Sequence, residues 1–195
     1  MISGSIICKD EEKLIEGCLN QLLWTNEIII IDDNSIDKTI EIVQEFRNKT
    51  KHPIKIIKSK FDGRFNDQRN LACQMSNYPW IFFLDADETI ESGLIYEIKD
   101  IINSNKYDGI SIPRINYVDG KRTKVYPDYQ LRCHRIFCRY LYAVHEELVG
   151  CRRIYIAKYH YIHTKSSERF YEQQRLYGDI KDKYKNQLRF NYEQW

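Results

Sequence analysis

The stretch WIFFLDADE, residues 80–88, decides the fold. Trp80 to Phe83, with Leu84 behind them, form an unbroken apolar run that ends in three acids, Asp85, Asp87 and Glu88. A half-exposed strand alternates apolar and polar residues. One that is apolar throughout has both faces covered, as in parallel sheets layered by helices. The acids therefore stand at the carboxyl end of a buried strand. Carboxylates crowded there repel one another and lose hydration, so a positive partner is expected for them.

Outward from that strand the chain keeps one rhythm. Ser5-Ile6-Ile7-Cys8 reads as a strand, followed by a helix over residues 11–23 that places Leu14, Ile15, Cys18, Leu19 and Leu22 on one side. Residues 27–31, Glu followed by four Ile, form a second strand ending in Asp32-Asp33-Asn34-Ser35, and Ile36, Ile40 and Val43 then resume helical spacing. Residues 54–58 supply a third strand, 66–75 a helix, and Asn77-Tyr78-Pro79 a break before Trp80. A further helix over 91–102 and a strand over 109–113 continue the alternation, which implies a parallel sheet with right-handed crossovers. The rhythm then changes. Val118-Asp119-Gly120-Lys121 signals a hairpin, residues 129–137 and 154–161 read as strands, and residues 166–185 as a terminal helix. The expected class is α/β: a central, mostly parallel sheet with helices on both faces and a small mixed or antiparallel annex.

A chain of 195 residues suits one domain. No run approaches the roughly 18 apolar residues of a membrane span, and MISGSIICKDEE has neither the basic start nor the apolar core of a signal peptide. A cytoplasmic protein is expected on those grounds. The six cysteines, 8, 18, 73, 133, 138 and 151, follow no zinc-type spacing, so reduced and mostly buried thiols are expected. Residues 1–100 carry 12 basic and 18 acidic groups, and residues 101–195 carry 18 and 10. The basic second half suits an anion such as a phosphate or an acidic glycan, and is compatible with peripheral contact at a membrane surface. Nucleic acid is not expected, because no binding motif accompanies the charge.

Ligands of open α/β sheets collect at the carboxyl ends of the strands. Three strands deliver acids there: Asp10 and Glu11, Asp32 and Asp33, then Asp85 and Asp87. Helix capping accounts for Asp37, Glu11 and Glu91. It does not account for Asp85 and Asp87, which at i and i+2 can turn to a single ligand. Two carboxylates at one point suit Mn²⁺ or Mg²⁺, with a nucleoside diphosphate completing the shell.

Three segments together resemble the inverting glycosyltransferases of family 2, which have the GT-A fold. Ser5 to Glu12 is similar to their opening strand and loop, with Asp10 where Asn is commoner. Residues 27–39 resemble their second strand and acidic turn, and Trp80 to Glu88 their Asp-x-Asp segment. The match covers roughly residues 3–100. It implies a nucleotide-sugar-binding half over 1–100 and an acceptor half over 101–195 within a single domain.

The resemblance also implies roles. Cys8, Asp10 and Glu11 would flank the base and ribose of a UDP- or TDP-sugar, Asp33 would accept from the base imide, and Arg64 and Arg69 would neutralise the diphosphate, Arg69 being the stronger choice. Tyr126-Pro-Asp-Tyr-Gln-Leu-Arg132 and Val144-His-Glu-Glu-Leu148 resemble the back half of the branch that includes lipopolysaccharide-core glucosyltransferases. That extension makes His145 a metal or diphosphate contact, Gln130 and Arg132 holders of acceptor or phosphate, and Asp128 or Glu146 the general base, with Glu146 slightly favoured. The implied activity is metal-dependent, inverting sugar transfer to a hydroxyl of a glycan or lipid-linked acceptor. Two alternatives stand beside it: a sugar-nucleotide-binding module without turnover, and a nucleotidyltransferase, although Ile7-Cys8-Lys9-Asp10 lacks the glycines of a phosphate loop.

Overall fold

The computed structural model describes residues 1–141, 147–172, 174–177 and 179. In chain order the elements are β1 (Ser3–Cys8), α1 (Ile15–Gln21), β2 (Glu27–Asp32), α2 (Thr39–Thr50), β3 (Ile54–Lys58), α3 (Phe65–Met75), β4 (Trp80–Phe83), β5 (Glu88–Ile90) and α4 (Ser92–Ser104). There follow β6 (Gly109–Val118), β7 (Lys121–Arg122), β8 (Asp128–Arg135), β9 (Arg139–Leu141), β10 (Glu147–Val149), β11 (Ile154–Ile156) and β12 (Tyr161–Lys165). Residues 167–172 and 174–177 are helical.

The apolar strands are buried on both faces, as their composition requires. Trp80 and Phe82 join Ile28, Ile30, Leu19, Val43 and Leu94 in one core, beneath α1, α2 and α4. Ile81 and Phe83 point the other way and join Ile29, Ile31, Ala72, Cys73 and Tyr140, beneath α3 and β9. Successive side chains of a strand project to opposite faces, so one run serves two cores. Each fully buried Ile or Phe contributes roughly 1.5–3 kcal/mol relative to exposure, which makes the β2–β1–β4 centre the rigid platform of the molecule.

The main sheet runs β3-β2-β1-β4-β8-β6-β12-β5, with β7 and β11 also on β6. The first four strands are parallel. Strand β8 then enters antiparallel between β4 and β6, Phe82 opposite Cys133 and Arg114 opposite Asp128. Of the strand expected over 154–161, β11 covers the start and β12 begins at the end, and both run parallel to β6. The β6–β7 hairpin turns at Asp119 and Gly120, φ 48° and 72°, the left-handed pair that a two-residue turn needs. A separate two-stranded ribbon, β9–β10, forms the small antiparallel element.

The cysteines correct one expectation. Cys8, Cys18, Cys73 and Cys133 are buried thiols, but Cys138 and Cys151 are bonded to each other. The turns around the β9–β10 ribbon bring their Cα atoms to 5.8 Å, within a disulfide's span. No helix among the described residues is long and apolar enough to cross a membrane.

Candidate active site

The site is assembled by the turn after β4. Leu84 still donates to Ser5 of β1, after which Glu88 N–H returns to the Asp85 carbonyl at 3.0 Å and closes a tight turn over residues 85–88. The buried Glu88 carboxylate accepts from Asp85 N–H at 2.9 Å and locks that turn. Strand β5 then pairs with β12, Glu88 opposite His163, and Thr164 N–H donates to the Asp87 carbonyl. Asp85 thus faces β8, and Asp87 faces β12.

Arg132 of β8 is the cation at the first acid. Its guanidinium donates to Asp85 at 2.7 Å, to Glu88 at 2.9 Å and to the Tyr161 hydroxyl at 3.3 Å. Burial opposes ionisation of Asp85, but the guanidinium outweighs it and the carboxyl is held well below its usual range. Burial pushes Glu88 upward despite the same partner, so Asp85 holds the shared charge more tightly. Asp87 lies 3.5 Å from His163 Nε2 and 3.6 Å from Lys165 Nζ. Burial works against its charge too, and the His163 contact and Lys165 charge still lower its pKa.

Two adjoining cavities flank the turn and share Phe65, Arg69, Asp85, Lys165 and Tyr177 as walls. The smaller, about 440 Å³, opens at the ends of β1 and β2 and is lined by Cys8, Lys9, Glu11, Asp33 and Asp87. The larger, about 610 Å³, opens over β6, β8 and β12 and is lined by Arg114, Asn116, Asp128, Gln130, Arg132 and His163. Asp128, at the start of β8, accepts from Arg114 Nε and Nη2 at 2.9 and 2.7 Å, from Asn116 at 2.9 Å and from Gln130 at 2.8 Å. Burial opposes its charge, and those donors overcome it and lower its pKa.

The residues singled out from sequence divide accordingly. Cys8, Glu11, Asp33, Arg69, Asp85, Asp87, Asp128 and Arg132 reach the two cavities. Burial, then the Asp32 charge, pushes the Cys8 thiol up to about 12, so it lines the wall protonated. Asp33 is committed to Phe61 N–H at 2.6 Å and to Lys9 at 3.2 Å. The Arg69 guanidinium lies over the Phe83 and Tyr140 rings. Two residues do not come to the site. Arg64, expected on the diphosphate, lines neither cavity; it stands immediately before α3, exposed, and is ion-paired with Asp62 and Asp67. Asp10 turns away to accept from Ile36 and Asp37 N–H, bracing the loop after β2. His145 and Glu146 lie outside the described residues.

The capping expectations fare unevenly. Asp37 accepts from Thr39 N–H, the first residue of α2, whereas Glu11 pairs with Arg169 and Glu91 with His160. Sequence reasoning missed His163, Asn116 and Arg114, which lie on β6 and β12. Only the register of those strands brings them to the acids, and no local spacing announces it.

Asp87 and His163 could together hold a divalent cation in place of the Lys165 ammonium, which lies 3.6 Å from the same Asp87 oxygen. Cis ligands of an octahedral ion at about 2.1 Å lie about 3 Å apart, close to the 3.5 Å between Asp87 Oδ2 and His163 Nε2. No cluster of three ligating side chains exists among the described residues. Remaining positions would fall to phosphate and water, as is usual for Mg²⁺. Asp85, committed to Arg132, borders that position rather than closing it.

Comparison with known proteins gives a consistent picture. A family model described as Glycosyl transferase family 2 matches residues 5–161. The lipopolysaccharide core biosynthesis glycosyltransferase LpsC of Rhizobium meliloti is 29% identical over 120 residues, which is 61% of this chain and 44% of LpsC. S. aureus TarS 1–349 in complex with UDP-GlcNAc superposes with a TM-score of 0.65 at 19% identity, over 84% of this chain and 58% of that one. The mannosyltransferase PcManGT from Pyrobaculum calidifontis, in complex with GDP-Man and Mn²⁺, gives 0.51 at 16% identity, over 58% and 35%. At these identities the solved structures speak for the fold, the GT-A arrangement. The chain spans less than half the length of LpsC and under two thirds of either solved chain.

Proposed function

The chain belongs to glycosyl transferase family 2, and from that premise we propose that it is a metal-dependent, inverting glycosyltransferase that moves a sugar from a nucleoside diphosphate to a hydroxyl of a glycan or lipid-linked acceptor. The observation that carries this reading is the pair of cavities meeting at Asp85 and Arg69, one at the parallel strand ends and one over β6, β8 and β12. A transfer between two substrates needs such a junction, whereas a binding module needs only the first cavity. The donor is a UDP- or TDP-sugar in this reading; UDP-GlcNAc is the molecule bound by TarS.

In the smaller cavity Asp33 and the Cys8 wall receive the base and ribose, and Arg69 pairs with diphosphate oxygens. Asp87 and His163 would hold Mn²⁺ or Mg²⁺, which when bound offsets charge on the departing diphosphate. Arg132 keeps Asp85 ionised and aimed at the junction. Asp128, on the acceptor side, takes the proton of the attacking hydroxyl as its oxygen bonds to the anomeric carbon, and the bond to diphosphate breaks on the opposite face. Its Arg114, Asn116 and Gln130 donors keep it ionised at neutral pH, ready to accept. Glu146, slightly favoured from the sequence, lies outside the described residues and stands as the alternative base.

The test is a panel of nucleotide sugars with and without Mn²⁺, read first by thermal shift and then by release of free nucleoside diphosphate with acceptor glycans. A ligand at free concentration c that binds only the folded chain stabilises it by RT ln(1 + c/Kd) and so raises the melting temperature. The reading expects a shift for a uridine or thymidine diphosphate sugar that grows with Mn²⁺, followed by nucleotide release. A shift without release for any acceptor would favour the binding module. No shift for any nucleotide sugar would sink the proposal.

A further inference from the structure

One side chain touches both ends of the proposed chemistry. Asn116 of β6 stands opposite His163 of β12 in the parallel register. Its Nδ2 donates to Asp128 Oδ2 at 2.9 Å, and its Oδ1 lies 2.8 Å from His163 Nδ1. The chemistry of the partners fixes this orientation. Asp128 is ringed by donors from Arg114 and Gln130 and is an acceptor, so the Asn116 amide must offer it the NH₂ group. The oxygen of the same planar amide then faces His163 and can only accept, which requires the proton on Nδ1. In the neutral ring the lone pair is left on Nε2. That atom faces Asp87 Oδ2 at 3.5 Å, and Lys165 Nζ stands 3.6 Å from the same oxygen, the cation that a divalent ion bound there would displace.

We infer that Asn116 is a positioning residue that, through one amide, both orients Asp128 and fixes His163 in the Nδ1–H tautomer, leaving Nε2 to a divalent cation shared with Asp87. The inference rests on the metal and base assignments proposed above. It adds that the two are geometrically coupled: the amide cannot flip to serve one without abandoning the other. A ligating histidine whose other nitrogen is held by an outer hydrogen-bond partner loses about 10- to 100-fold in metal affinity when that partner is removed. Asn116 is the only such partner of His163 Nδ1 among the contacts of the described residues.

The test uses the full chain with ¹⁵N-labelled histidine. Long-range proton–nitrogen correlation on the metal-free protein, with pH raised until the spectrum shows a neutral ring, reports the His163 tautomer directly. The wild-type protein is expected to show Nδ1–H. Asn116→Leu should lose that bias and weaken Mn²⁺ binding in the presence of UDP by about 10- to 100-fold. Asn116→Asp keeps an acceptor towards His163 but no donor towards Asp128, and should retain the tautomer and most of the Mn²⁺ affinity while kcat falls. An Nε2–H tautomer in the wild-type protein overturns the inference without need of any variant. So does unchanged Mn²⁺ affinity in a folded Asn116→Leu. If the wild-type protein with UDP binds no Mn²⁺, the metal assignment itself fails, and this inference with it.

Discussion

Replacing Arg132 with methionine removes the tie that holds the acidic turn while keeping most of the side chain's length. Arg132 is 6% exposed, and its guanidinium lies 2.7 Å from Asp85 and 2.9 Å from Glu88, which is itself 1% exposed. Among the described residues, the cation left beside Glu88 is Arg114, at 3.8 Å. Removing one partner of a buried ion pair costs about 3–5 kcal/mol, a large part of the roughly 5–15 kcal/mol that holds a domain folded. The pH dependence supplies the sign. In the wild-type protein Asp85 has a depressed folded pKa, so it contributes stability above the ordinary carboxylate range that is lost on acidification. In Arg132→Met burial loses its strongest counterweight, with Arg69 and His163 left to oppose it, and both carboxyls rise, so the penalty is full at neutral pH and shrinks as pH falls and the carboxylates protonate. Urea unfolding at about pH 7.5 and about pH 5 should therefore show a deficit of about 3–5 kcal/mol at the first and a smaller one at the second. Adding Glu88→Gln should recover at least about 1 kcal/mol, because the two side chains touch and their effects do not add. A deficit below about 1 kcal/mol, the same at both pH values, together with strict additivity, would refute the claim that Arg132 is an internal tie. It would return Arg132 to the substrate-holding role first expected of it.

Other outcomes follow from the same contacts. Asp128→Asn should lower turnover by about 10²- to 10⁴-fold, the usual share of a general base, while donor binding measured by thermal shift stays intact; because the Asp128 pKa is lowered, the acid limb of kcat/KM should fall below the ordinary carboxylate range. Burial pushes His134 down to about 4, so its neutral ring contributes stability that is full above the unfolded value of about 6.5 and is lost as pH falls towards about 4, on the order of 3 kcal/mol in all; His134→Gln should flatten that slope in unfolding experiments. Arg69→Ala should weaken UDP binding by about tenfold or more, as loss of one charge-assisted contact implies, whereas Arg64→Ala should leave it unchanged; equal losses would contradict the placement of Arg64 on the surface.

The four parallel strands were legible because their burial is written locally. An all-apolar run ending in acids can be read without knowing its neighbours, and β2, β3 and β4 fall where periodicity puts them. The antiparallel entry of β8 between β4 and β6 was not legible, since a strand's partner is a non-local choice and its own sequence fits several. The site divides along the same line. Asp85 and Asp87 announce themselves by position after β4, but their partners Arg132, His163 and Lys165 arrive from strands 45 or more residues away by register alone. Arg64 looked like a phosphate ligand because it precedes a helix with Arg69. Its orientation is decided by Asp62 and Asp67 beside it, a local competition that charge type cannot predict.

Calorimetric titration of Mn²⁺ into the UDP-saturated protein addresses the metal directly, with Asp87→Asn, His163→Ala and Asp10→Asn measured alongside. One ion per chain is expected for the wild-type protein and for Asp10→Asn, with binding abolished or greatly weakened in the other two. Undiminished binding in both Asp87→Asn and His163→Ala would contradict it.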